Sequence, residues 1–283
     1  MQKIITLVIC SLLVAIIVSP NVAYAHQPRI ATENPITVTD PEVSKAYYGT
    51  LSGAPVVYRI AAEKPFALYV NVLVPDIAGQ KKDVSALILK DGKQVASLDG
   101  TNFEWKQFFE EFGHDTYWEG PAYKAQVGAG NYEIRVSSSN NDSKYSLAIG
   151  ETEAFDFREG TNALTLIPQI KRNFFNESPA NFILSPFGFG LIIIMFALAF
   201  MCGFLFRLIF KTFAKNSVHG AGRNIGANDR YIRLAIGIVL FAWAITTSWS
   251  PILLFFAGFA LFEIIFSWSV IYAALGKNTR PVK

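Results

Sequence analysis

Between residues 37 and 150 the apolar side chains of this chain fall on every second position. Phe66, Leu68, Val70, Val72 and Val74 keep the period of a strand with one buried face. Tyr132, Ile134 and Val136 alternate with Glu133, Arg135 and Ser137, and Tyr145, Leu147 and Ile149 repeat the pattern after a polar turn at Asn140–Ser143. Val84–Leu89 is a continuous apolar run ending in Lys90-Asp91-Gly92-Lys93, whose Asp-Gly pair tolerates the positive φ of a tight hairpin. Short strands separated by turn chemistry predict an all-β sandwich or jelly roll over residues 26–160.

The period changes near residue 161. Leu164, Ile167, Ile170 and Phe174 recur at helical spacing beside Lys171 and Arg172. This predicts a juxtamembrane linker over 161–180, either plain or amphipathic and lying on the membrane surface with its cations near headgroups. Three apolar runs follow, at 185–210, 231–249 and 252–275, each about long enough to cross the roughly 30 Å hydrocarbon layer. They predict three transmembrane α-helices, and the tight Ser248-Trp249-Ser250-Pro251 turn makes the last two an antiparallel hairpin.

Charge follows the same division. Residues 26–180 hold 20 of the 22 acidic and 15 of the 25 basic side chains, the density of a soluble domain. Residues 181–283 hold nine cations against Asp229 and Glu263. Six of the nine lie between Arg207 and Arg233, around a loop at 211–230. The positive-inside bias places that loop in the cytoplasm, with the tail 276–283, and puts the β domain outside. Met1–Ala25 reads as a cleaved signal peptide: Lys3, an apolar stretch Ile4–Val18, a Ser19-Pro20 break and the small-x-small Ala23-Tyr24-Ala25. The expected location is the bacterial inner (plasma) membrane. Cys10 lies inside the signal, so Cys202, in the first span, is the one thiol of the mature chain and no intrachain disulfide can form. No basic stripe interleaved with exposed aromatics points to nucleic acid.

Asn224-Ile-Gly226, Asp229-Arg230, Ile232-Arg233 and Gly237, with Tyr272-Ala-Ala-Leu-Gly276-Lys-Asn278-Thr279 at the far end, resemble the YgaP-like inner-membrane hairpin family. That family is a two-helix module of unknown function, often fused to other domains. The resemblance implies a Cys-Pro just before the Tyr-x-x-x-Gly segment; Ser269-Val270 stands there instead, which removes any thiol role. Taken by themselves, Asn224 and Asp229 are expected to cap a helix start, Arg230 and Arg233 to reach lipid phosphates, and Gly276 to end a helix at positive φ. In the β region, Gly128-Ala-Gly-Asn-Tyr132-Glu-Ile-Arg-Val136 with Lys144-Tyr-Ser-Leu147 resembles the closing hairpin of pre-peptidase C-terminal-like jelly-roll domains. This implies an accessory or binding module.

Candidate chemistry is sparse. No GxSxG, HExxH, Walker or dinucleotide-glycine pattern occurs, and no catalytic residue is assigned. Phe103–Tyr123 interleaves aromatics with carboxylates, so Trp105, Tyr117, Trp118, Glu119 and Tyr123 are candidate ligand-binding residues for an envelope protein or glycan, or else plug one end of the sandwich. If cleavage follows Ala25, the α-amine and imidazole of His26 can chelate Cu(II), with His114 as a second imidazole. Otherwise no cofactor is expected. Glu263, deep in the last span, is a candidate intramembrane polar contact within the chain or in a homo-oligomer, with Ser267 or Thr246 as neutral partners. With no second ionisable group deep in the first two spans, an ion pathway is not expected. Three readings stay open: a non-enzymatic binding or scaffolding protein, a copper-handling or redox accessory protein, and a membrane-bound enzyme with an acidic site in 103–123.

Overall fold

The computed structural model describes residues 26–154, 156–213 and 222–280. The expected signal peptide, and Lys215, His219 and Lys283, lie outside the described residues. The described residues divide into two compact units, 26–181 and 182–280.

In the first unit the strands are β1 Gln27–Ile30, β2 Ile36–Thr37, β3 Lys45–Thr50, β4 Val56–Ala62, β5 Phe66–Pro75, β6 Ser85–Lys90, β7 Lys93–Leu98, β8 Lys106–Glu110, β9 Asp115–Val127, β10 Gly130–Ser137 and β11 Lys144–Ile149. They form a six-stranded sheet, β1-β3-β11-β5-β9-β8, and a five-stranded sheet, β2-β4-β10-β6-β7. The predicted alternation decides what lies between them. Leu68, Val70, Val72 and Val74 of β5 and Ile134 and Val136 of β10 are all fully buried in one core. Asp91 and Gly92 both take positive φ, 47° and 79°, as the β6–β7 hairpin requires. Two tyrosines cross the core and satisfy each other: the hydroxyls of Tyr58 and Tyr145 are 2.9 Å apart, so neither is left unpaired in an apolar interior.

The outer face of the larger sheet is also covered. Helix α1 (Phe157–Gln169) begins at Asp156, whose carboxylate accepts from the Glu159 amide, and runs into a π-type turn at Ile170–Phe174. Ile170, Phe174 and Phe175 pack with Leu73, Tyr117 and Ala148 of β5, β9 and β11. The stretch expected to be a plain linker or to lie on the membrane surface is therefore packed into the first unit, and Lys171 is only 1% exposed. An apolar stripe fixes which helix face is buried but not what buries it. Here the outer sheet face supplies the apolar area.

The second unit holds α2 (Pro186–Phe213), α3 (Ala227–Trp243), α4 (Pro251–Phe266) and α5 (Val270–Leu275). By length and composition α2 and α3, the latter extended by a π-type turn at Ala244–Ser248, are long and apolar enough to cross a membrane; α4 is a shorter apolar helix. Ser250 caps α4 with Pro251 in its first turn, after Trp249 in the left-handed region. Helix α4 packs on both α2 and α3. Small residues permit the approach: a Cβ on Gly258 would sit 3.0 Å from the Phe196 backbone.

The expected single span 252–275 is broken. Ser267 turns left-handed (φ 50°), and α5 restarts at Val270. The cause lies forty-odd residues upstream. Asn224 donates through Nδ2 to the Ser269 carbonyl (2.9 Å) and accepts from the Ser269 amide (2.7 Å). The amides of Asn224 and Ile225 donate to the Ser267 carbonyl. Asn224 thus feeds the break rather than capping a helix; the N-cap of α3 is Gly226. Asp229 accepts from the Thr279 hydroxyl, which in turn accepts from the Gly226 amide (3.0 Å). Gly276 ends α5 at φ 63°, as its position predicted. Asn224→Ala leaves the buried Ser269 amide unpaired, the Ser269 carbonyl keeping only its bond from the Ala273 amide, and is expected to cost about 2 kcal/mol. A lower thermal midpoint of the detergent-solubilised protein checks this, and Asn224→Asp, which can accept but not donate, should fall between.

Candidate functional site

The strongest concentration of ionisable groups in the first unit lies beneath α1. The β8–β9 hairpin sets Glu110 across from Asp115 and Phe108 across from Tyr117. Alternation turns all four toward the face that α1 and its π-turn cover, where they meet Lys171. Its ammonium lies 2.5 Å from Asp115 Oδ1, with the two side chains 1% and 5% exposed. The Glu110 carboxylate accepts from the amides of Phe112 and Gly113, both at 2.7 Å. Tyr48 and Tyr117 pair their hydroxyls at 2.9 Å. The partly open cavity among these groups has a volume of about 60 Å³, enough for a few waters and too small for a sugar ring.

Burial sets the electrostatics. It pushes Glu110 up to about 7, although the Gly113 and Phe112 amides favour the anion. It pushes Asp115 up to about 6, outweighing the pull of Lys171. Tyr117, buried and beside Tyr48, is held well above its ordinary value. Burial lowers His26, whose Nδ1 lies 2.5 Å from the Ser44 hydroxyl. The cluster can hold and release a proton near neutral pH.

The five aromatic and acidic residues expected to make a ligand surface do not converge. Tyr117 is 3% exposed and belongs to the cluster under α1. Trp118, its neighbour in β9, points the other way; its indole N–H donates to Asp76 and its ring face carries the Lys82 ammonium at 3.6 Å. Trp105 donates to the Gly100 carbonyl and lies over Gly120, where a Cβ would come within 2.6 Å of the ring. Tyr123 packs against the main core. Glu119 accepts from Asn71 at 2.9 Å. A run of aromatics on one strand divides between its two faces, and linear proximity concealed that. The side chains left open are Phe103, Phe108 and Phe109.

His114 stacks edge-on against Phe109, ring centres 4.9 Å apart. Among the described residues no three His, Cys, Asp or Glu side chains are grouped where they could hold a metal ion.

In the second unit Glu263 finds neither Ser267 nor Thr246. It accepts from Arg233 Nε of α3 at 2.7 Å, and the guanidinium lies 4.9 Å from the Tyr272 ring centre. Thr246 donates instead to the Ala242 carbonyl. Arg233 was expected at lipid headgroups, yet it is half-buried and pairs with Glu263 between α3 and α4. A cation six residues into an apolar helix was the available signal.

The sequence profile described as "Inner membrane protein YgaP-like, transmembrane domain" matches residues 222–283. Residues 222–283 are thus similar to that inner-membrane module, which fits the apolar helices. No curated protein matches the chain in sequence. Among solved structures the sandwich is similar to the pre-peptidase C-terminal domain of a collagenase from Bacillus anthracis, with 8% identity over 44% of this chain and 95% of that one and a TM-score of 0.25. A family 35 carbohydrate-binding module from an environmental isolate gives 17% identity over 45% and 89%, TM-score 0.23. CorA, described as a surface-associated copper-binding protein of Methylomicrobium album BG8, gives 6% identity over 44% and 100%, TM-score 0.23. No functional assignment rests on likenesses at that level.

Proposed function

We propose that this chain is a non-enzymatic binding or scaffolding protein of the bacterial inner membrane, its β-sandwich held on the extracytoplasmic side and its C-terminus in the cytoplasm. The positive-inside placement of Arg207, Lys211, Arg223 and Arg230 supports the orientation. The observation that carries the binding role is the edge strand β8. Phe103, Phe108 and Phe109 are 41%, 42% and 48% exposed, whereas the sandwich's other aromatics are mostly packed. As the last strand of its sheet, β8 also presents unpaired backbone groups. An edge with both features suits a protein partner that adds an extended segment. Sugar stacking is less well served, because the Trp118 face is occupied by Lys82 and Tyr117 is buried.

The test is capture of partners by the full-length, detergent-solubilised protein after crosslinking in intact cells. Phe108→Ser with Phe109→Ser should cut recovery of the crosslinked partner at least tenfold while the sandwich stays folded. An unchanged partner set would remove β8 as the docking edge. Protease added to spheroplasts should cut within residues 26–181, and full protection of that region would reverse the topology.

A further inference from the structure

The charge count under α1 does not balance. Two carboxylates, the buried Asp115 and the half-buried Glu110, line one cavity with a single buried ammonium, Lys171. Glu177 approaches that ammonium only to 4.0 Å and is 43% exposed, and the His114 carbonyl (3.4 Å) and Phe175 ring complete its surroundings. At the other end of the helix the Arg29–Glu159 ion pair, 2.9 Å, is neutral as a unit. Lys45 and Lys144 cap backbone carbonyls of the loop 39–40 and the turn 173–174. One added proton would neutralise the cluster, and Asp115 is already engaged by Lys171. That leaves Glu110.

We propose that Glu110 takes up a proton as α1 and its π-turn dock on the outer sheet face, so that docking is favoured in acid and loosened as the medium turns alkaline.

The sign follows from linkage. While α1 is docked, burial holds Glu110 at about 7 and Asp115 at about 6; exposed carboxyls titrate near 4. The docked form therefore binds more protons between those limits. Its stabilisation is complete below about pH 4 and is lost as pH rises through 6 and 7. His26, lowered by burial, acts in the opposite sense below its ordinary value. Tyr48 and Tyr117 are raised by burial and stay neutral throughout.

Hydrogen exchange of residues 163–175 in the full-length protein in detergent, corrected for intrinsic exchange at each pH, reads the docked fraction. Glu110→Gln mimics the protonated side chain, and His26 contributes equally to both chains. The ratio of wild-type to Glu110→Gln protection should fall roughly thirtyfold between pH 5.5 and 8.5. A ratio that does not move with pH overturns the proposal. Protection of β5 amides reports whether the variant keeps its sandwich. Should it not, the infrared band of a protonated carboxyl in the wild type carries the test, and its failure to titrate with a midpoint near neutral overturns the proposal equally.

Discussion

Asp115→Asn should release the Ile170–Phe175 turn from the sheet, at a cost of about 3 kcal/mol, and exchange of its amides should accelerate roughly a hundredfold. The substitution keeps the shape and removes the charge, leaving the Lys171 ammonium 1% exposed without its 2.5 Å partner. Glu110 cannot step in at that distance, because its carboxylate is committed to the amides of Phe112 and Gly113. Desolvation of an unpaired cation dominates the loss. Adding Lys171→Met to the same chain should therefore restore much of the protection, since it removes the unpaired cation and leaves only a neutral amide at position 115. If the double variant is as loose as the single one, the loss belongs to hairpin geometry and not to charge. In Asp115→Asn the remaining pH dependence should also flatten, because Glu110 is then the one carboxylate opposite Lys171 and stays ionised to lower pH.

Much of this architecture was legible in the sequence, for identifiable reasons. Alternation in β5, β10 and β11 is a local signal that survives folding, because one face of each strand must meet the core whatever else happens. The Asp91-Gly92 turn and the Gly276 helix end are likewise set by backbone sterics of single residues. Contacts across long intervals left no such trace. Asp115 and Lys171 are 56 positions apart, and each taken alone resembles a solvated charge. Asn224 looked like a helix cap because its local surroundings permit one, yet its amide is taken by the backbone of Ser269. Apolar pattern read over Ile252–Leu275 could not reveal the break at Ser267, since the bonds that replace the helical ones come from the other end of the hairpin. The candidate site was misplaced for the same reason: a stretch rich in aromatics marks a strand that packs on both faces, and only Phe103, Phe108 and Phe109 remain for a partner.

Arg233 and Glu263 provide the second large effect. Glu263→Ala should leave a guanidinium in the apolar bundle with the Tyr272 face as its nearest compensation, at a cost of about 3 kcal/mol to packing of α3 on α4. The pair is short, 2.7 Å, and both side chains are mostly buried, 15% and 10% exposed, so the loss is not screened as it would be at a wet surface. Arg233→Lys should recover only part of the contact, because an ammonium is a point donor and is more strongly hydrated than the planar guanidinium now held between carboxylate and ring. The measurement is unfolding of the detergent-solubilised protein in a graded denaturing-detergent series, followed at the hairpin by accessibility of a cysteine introduced at Ala260 in a Cys202→Ser background. Glu263→Ala should expose that thiol at markedly lower denaturant, and Glu263→Leu with Arg233→Leu should return it toward the parent. Equal exposure in all three chains would mean that apolar contacts such as Gly258 on Phe196 hold the bundle unaided, and that the ion pair contributes nothing to it.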